Sequence, residues 1–465
     1  MRRFASIVAL AVLAGCATFS EDGGFGAVQR MVKDRTGQDA HWVRNDREVG
    51  EVRARTREIL SRPLSADDAV QVALLNNPGL QAAYAELGIA EADLVQAGRL
   101  PNPHLAYLRV RHGAELKTET AFTLNLFAFL TIPLATEMES RRFEALKRAV
   151  AARAVGVAGR TGQAWARTLA ARESARYFGD VKSAAEAGAE LARRMAAAGN
   201  FSRLQQAREH AFYADAVAQL ARARHAELAE REGLARLMGL WGGDLAFQLP
   251  ERLPDLPAAP QQLDDLEQRA LDGRLDVQSA RLELEALAKS LGLTRATRLV
   301  NAVEFGPARV TESPEPRKKG YEISLQIPLF DWGDARIARA ESLYMQGVNR
   351  LAQVALEARS EVREAYSAYR TAYDLARHYR DEIVPLRKRI SEEMLLRYNG
   401  NLASVFELLA DARLQVMSVS AAIEAQRDFW LADSALQAAL TAGPPGVSGA
   451  DMKPTAGAAM PPAGH

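Results

Sequence analysis

Hydrophobic and polar residues change rhythm twice along this chain, in similar ways. From Tyr321 to Ile327 they alternate: Tyr321, Ile323, Leu325 and Ile327 fall on one face, Glu322, Ser324 and Gln326 on the other. A period of two is that of a strand with one apolar side. Pro328 cannot donate to a ladder and suits the strand's end. Beyond Gly333 the pattern becomes a long Ala- and charge-rich helical run. A weaker copy lies upstream, where Thr123-Leu124-Asn125-Leu126 leads to Ile132-Pro133-Leu134 and another helical run.

The surrounding pattern places these passages in a larger plan. Polar residues 16–62, with Gly23-Gly24, predict an extended tether ending in a short helix around Asp46–Leu60. A first repeat, 63–241, opens at Ser65, an N-cap followed by Asp67 and Asp68. The stripe Ala69, Val70, Ala73, Leu74, Leu80, Ala83, Leu87 is helical, broken at Asn77-Pro78. Leu100-Pro101-Asn102-Pro103 ends it. Strands follow within about 104–130: Ala106, Leu108 and Val110 are expected to share the first apolar face, and Phe122, Leu124 and Leu126 the second. Ala135 to Ala198 contains no proline and would span about 95 Å as helix. Gly199-Asn200-Phe201-Ser202 then turns the chain into a return helix.

After a Pro-rich linker, 242–262, the plan repeats over 263–442. At an offset of 197, Asp67, Asp68, Gln71, Gln81 and Leu87 fall on Asp264, Asp265, Gln268, Gln278 and Leu284. The Ile-Pro-Leu triplets and the Gly199-Asn200 and Gly400-Asn401 turns keep the same order, which marks two homologous halves. The second half has strands within about 299–327 and a turn at 399–404. Residues 443–465 are Gly/Pro/Ala-rich and predict a disordered tail.

Composition narrows the classes. Lys+Arg 59 against Asp+Glu 58 gives no electrostatic support for a nucleic-acid partner. The chain lacks the βαβ rhythm of an enzyme core and any Walker, Rossmann or Gly-x-Ser-x-Gly motif. Its seven histidines show no metal-ligand spacing, so no catalytic or metal residues are assigned. The one cysteine, Cys16, excludes an intrachain disulfide. It follows Arg2-Arg3, an apolar run Phe4–Ala14 and Gly15, so residues 1–15 match a lipoprotein signal peptide with Leu13-Ala14-Gly15-Cys16 as lipobox. Acylation of Cys16 is then the one covalent addition expected, and no cofactor is expected.

Four strands of about ten residues with apolar faces suit a membrane barrel, yet four cannot close one. Open edges in lipid are costly, so several copies would have to share the barrel. The alternative is two hairpins on a lipid-anchored coiled-coil rod without a pore. The doubled order of helix, hairpin and long helical hairpin, with Asn77-Pro78, Pro328-Leu329-Phe330-Asp331-Trp332-Gly333 and Gly-centred turns, resembles the TolC family of outer membrane factors over about residues 60–443. That resemblance implies a mainly α fold with a membrane β part: a homotrimeric 12-stranded barrel in the outer membrane of a Gram-negative bacterium, continuous with a periplasmic α-barrel. It implies an exit duct fed through a periplasmic adaptor by an inner-membrane pump of the RND type. Ala97-Gly98-Arg99-Leu100-Pro101-Asn102-Pro103 resembles members from heavy-metal efflux. Drug efflux and type I protein secretion remain alternatives. Met452, Met460 and His465 in the tail are either soft-metal contacts or ordinary tail composition.

The resemblance also assigns the turns. Gly199, Asn200, Phe201, Ser202, Gly400, Asn401, Leu402 and Ser404 would meet the adaptor. Phe406, Glu407, Leu409 and Asp411 fall in or beside the positions where the family closes its channel, and are either an apolar gate with one acidic ring or helix-packing residues.

Overall fold

The computed structural model describes residues 18–299, 303–313, 315–325 and 327–443. The signal peptide, Cys16, and the tail residues Met452, Met460 and His465 lie outside the described residues. The elements run α1 (Phe25–Thr36), α2 (Asp46–Leu60), α3 (Ala66–Asn76), α4 (Pro78–Ala97), β1 (His104–His112), β2 (Glu115–Asn125), α5 (Ala128–Ala197) and α6 (Arg203–Met238). The second half follows with α7 (Leu266–Gly273), α8 (Leu275–Ala296), β3 (Val303–Glu312), β4 (Lys318–Leu325), α9 (Asp334–His378), α10 (Val384–Asn399) and α11 (Val405–Thr441), an order like that from α3 onward. A π-helical turn, Tyr379–Ile383, joins α9 to α10. Pro385 has no N–H to give Asp381, and the wider turn absorbs that loss.

The chain divides into two compact units. One takes in the chain up to Val28, Ala83–Val150 and Leu275–Leu356. It holds a single antiparallel sheet of order β1-β2-β3-β4. Its helices pack closely: Tyr84 is buried edge-on against Phe25 at 4.9 Å, and Ser279 donates from its hydroxyl to the Ala145 carbonyl at 2.9 Å. Gly347 leaves room for Leu284 and Leu287; a Cβ there would lie 2.7 Å from a Leu287 methyl.

The other unit comprises Gln29–Ala82, Ala151–Arg274 and the chain from Glu357. The break between α3 and α4 is built here. Asn77 donates through its amide to the Leu237 carbonyl at 2.9 Å, capping the end of α6. Gly239, at φ +68, comes so near that a Cβ would meet the Asn76 carbonyl at 2.6 Å. The counterpart of Asn77 at offset 197 is Arg274. It is buried and pairs with Glu361 at 2.6 Å.

Two stretches read from sequence as loose are tied down. Within 16–62 the described part holds two helices, and Val28, Val32 and Ala40 are fully buried. The intervening segment is held by two glutamines. Gln71 accepts from the Asp39 N–H and donates to its carbonyl. Gln81 accepts from the Val43 N–H and donates to the His41 carbonyl. The Pro-rich segment is likewise a packed strap. Leu256 joins a cluster with Tyr369, Tyr373, Phe429 and Leu436, and Trp430 donates to the Pro254 carbonyl at 3.2 Å. Prolines free no N–H to be satisfied, so such a strap costs few buried donors.

Candidate membrane sheet and helical turns

The register of the sheet decides which side chains share a face. Leu105 lies opposite Phe122 and Tyr107 opposite Thr120. Leu124 lies opposite Phe305, Phe305 opposite Ile323, and Val303 opposite Leu325. One face therefore carries Leu105, Tyr107, Phe122, Leu124, Phe305, Tyr321, Ile323 and Leu325, all exposed on this chain. The expected apolar face of β1 is corrected here. Ala106, Leu108 and Val110 lie on the opposite face, with Glu119, Lys117 and Glu115 nearby on β2. A slip of one residue exchanges the two faces of a strand, and β1 has apolar residues at both parities.

Gly306 and Pro307 sit in the central strand β3, where proline is unusual. The β2–β3 pairing skips them, running from Ala121↔Ala308 to Leu124↔Phe305. A Cβ on Gly306 would lie 1.7 Å from the Phe122 carbonyl oxygen, so only glycine fits. The strands β1 and β4 are the two edges. The β1–β2 turn is the tightest available: His112 pairs with Glu115 across Gly113-Ala114, with Gly113 at φ +57.

The strand-to-helix passages differ. In the first, the Asn125 side chain accepts from the N–H groups of Phe127 and Ala128 at 3.0 and 3.3 Å, and α5 starts at once. Ile132-Pro133-Leu134, read from sequence as the bend itself, therefore lies inside α5. In the second, an irregular stretch runs to Gly333, at φ +75, whose N–H bonds the Asp331 carboxylate at 2.7 Å. A Cβ at Gly333 would meet the Arg298 carbonyl at 2.8 Å. Phe330 and Trp332 in this stretch are 97% and 56% exposed.

In the other unit both helical turns have the same design. At the first, Gly199 takes φ +81, Asn200 N–H bonds the Met195 carbonyl, and Gly199 N–H that of Ala196. This pair of bonds is a Schellman ending. Ser202 then caps α6 in a reciprocal box with Gln205. At the second, Leu402 N–H bonds the Arg397 carbonyl and Asn401 N–H that of Tyr398. The left-handed residue here is Asn401, at φ +56, not Gly400. Ser404 caps α11 in a box with Glu407. Leu402 is 81% exposed at this turn.

Of the remaining sequence-assigned positions, Glu407 is engaged in that box, and the Ser404 N–H and hydroxyl hold its carboxyl below the usual range. Leu409 touches Gly188 of α5, whose Cβ position lies 3.9 Å away. Asp411 is buried, with one carboxylate oxygen lacking a partner. The Phe406 side chain lies outside the described residues. Near the first turn, Arg193 and Arg194 hold Glu190 down to about 2. No local pattern marks the Glu209–Arg413 pair at 3.1 Å, in which Glu209 is buried. The partners are 204 positions apart.

No protein-family model matches the chain. Among curated proteins it is similar to the cobalt-zinc-cadmium resistance protein CzcC of Cupriavidus metallidurans, with 27% identity over 279 residues. That match spans 58% of this chain and 64% of the relative, just under two thirds of the relative's length. Among solved structures it is similar to the outer-membrane channel OprN, with TM-score 0.69, 18% identity, and coverage of 83% of this chain and 92% of that one. It is also similar to the outer membrane protein VceC of Vibrio cholerae, with TM-score 0.68, 16% identity, and coverage of 84% and 97%.

Proposed function

We propose that this chain, which has the fold of the TolC family of outer membrane channels, is a passive exit duct of a tripartite efflux pump in the outer membrane. The observation that carries the reading is the sheet. It has one apolar exposed face, one face bearing carboxylates, two open edges, and a long helix after the second strand of each hairpin, reached at once after β2 and through an irregular stretch after β4. In lipid, unpaired edge groups cost several kcal/mol each. Joining β4 of one copy to β1 of the next removes both edges, and three copies give twelve strands. The apolar face then meets lipid, with Phe330 and Trp332 at the interface where aromatic girdles form. The carboxylate face lines water.

An open groove of about 670 Å³ along α9 and α11, lined partly by Ala368, Ala372, Ala421 and Ala425, supports a helix of a second copy packing there. The turns at Gly199–Ser202 and Gly400–Ser404 are the adaptor contacts in this reading. In this reading the constriction lies at Phe406 and Glu407, with Leu409 and Asp411 packed behind it. Acylated Cys16 anchors the chain. The relative from metal resistance favours divalent heavy-metal cations as cargo over drugs or secreted protein.

Planar-bilayer recording tests the duct: purified protein should give single-channel steps, and their absence would reject it in favour of a rod without a pore. Deleting the gene should raise sensitivity to cobalt, zinc or cadmium; unchanged sensitivity would reject the metal cargo. Cys16→Ser should abolish palmitate labelling.

A further inference from the structure

The charges of the sheet are segregated by face. On the face with the apolar band, the register places four charged residues, Arg109, Arg111, Arg309 and Lys319, and no carboxylate. The opposite face holds Glu115, Glu119, Glu304, Glu312 and Glu322, together with Lys117 and Lys318. Those two lysines are paired, Lys117 with Glu119 on the same face at 2.6 Å and Lys318 with Glu312 on that face and Glu315 in the turn. Arg109, Arg309 and Lys319 have no ion-pair partner among the described residues. Arg111 reaches only the Gly113 carbonyl, at 3.3 Å.

Their levels are equally ordered. Arg309 stands directly opposite Lys319, two residues along the ladder from the Pro307–Tyr321 row where the apolar band begins and next to it on this face. Arg109 and Arg111 lie in the next rows toward the hairpin turns. Like charges directly opposed in a sheet destabilise it. An uncompensated Arg–Lys pair, exposed at the rim of an apolar band, therefore calls for an external anion.

We propose that these four residues form a cationic belt that binds the phosphate groups of outer-leaflet lipid headgroups. This rests on the outer-membrane reading, because the strands enter helices at one end and their hairpin turns lie at the other, which faces the exterior. The apolar rows then meet acyl chains, and the belt stands at headgroup height. Arginine's planar fork matches a phosphate bidentately, and three of the four are arginine.

The full-length protein, placed in phosphatidylcholine nanodiscs with trace lipid A in its bis-phosphorylated or dephosphorylated form, tests this by native mass spectrometry of protein-bound lipid. The wild type should enrich the phosphorylated form at least tenfold, since a cation near an anionic surface contributes about fivefold. The triple variant R109Q/R309Q/K319Q should lose that preference. K117Q/K318Q, which removes two charges from the opposite face, should keep it. Equal enrichment of both lipids by the wild type, or an unchanged preference in the triple variant, would overturn the proposal. So would an equal loss in K117Q/K318Q, which would mean net charge alone. Bilayer conductance separates the two readings: a wild type that does not conduct sinks the duct, while one that conducts but ignores phosphorylation sinks the belt.

Discussion

At the first helical turn the left-handed position is Gly199; at the second it is Asn401, one residue after the glycine. Ser202 closes its capping box with neutral Gln205, whereas Ser404 uses ionisable Glu407. The same contrast recurs elsewhere. Ser65 caps α3 in a box with Asp68, while Asp265 enters α7 at φ +53 with no side-chain cap bond. Asn77 caps a neighbouring helix, and its counterpart Arg274 makes a buried ion pair. Gln71 and Gln81 clamp the N-terminal segment, but Gln268 bonds only within its helix, to Asp272. The duplication preserves geometric tasks such as ending a helix or breaking one, and leaves the residue free to change wherever another side chain performs the task.

The largest expected effect is in the sheet that both halves share. Gly306→Ala puts a Cβ where the Phe122 carbonyl stands, and should abolish the folded sheet, read as loss of protease-resistant protein. Gly320→Ala on the edge strand meets nothing within 4 Å and should assemble normally. Next, Arg274→Ala strands Glu361 and should cost about 3 kcal/mol, whereas Asn77→Ala should cost about 1 kcal/mol. Thermal unfolding of the two variants checks the order. At the turns, Gly199→Ala should cost about 1 kcal/mol, and Asn401→Gly should stay within about 0.5 kcal/mol of wild type.

The smallest effect is pH-dependent. The Glu407 pKa is lowered in the folded chain, so its contribution is complete above the ordinary carboxylate range and is lost as pH falls through the lowered value. Amides of the second turn should therefore lose hydrogen-exchange protection in acid before those of the first, whose Gln205 does not titrate. Glu407→Gln should remove that difference.

Much of this was legible in the sequence. The hairpins, the helical turns and the Ser202 cap rest on local patterns, and the structure has each. What escaped depended on partners distant in the chain. In β1, Leu105, Ala106, Tyr107, Leu108 and Val110 fit either phase, and only the pairing with β2 chooses. Helix α1 carried a readable stripe, Phe25, Val28 and Val32, hidden beside Gly23-Gly24. Pro133 read as a helix boundary because Asn125, not proline, starts α5. The Gly-Asn motif marked both turns, but the local bonding at the second gives the left-handed position to Asn401.

The β2–β3 pairing also sets a timetable for assembly. Lys117 and Glu312, partners in that ladder, are 195 positions apart. At synthesis rates of about 5–20 residues per second, the second hairpin emerges roughly 10–40 s after the first. The local β1–β2 hairpin can close within microseconds, then must wait with its inner edge unpaired and its apolar face wet. Until the second hairpin arrives, the first is a marginal two-stranded ribbon whose open edge is exposed to wrong pairing.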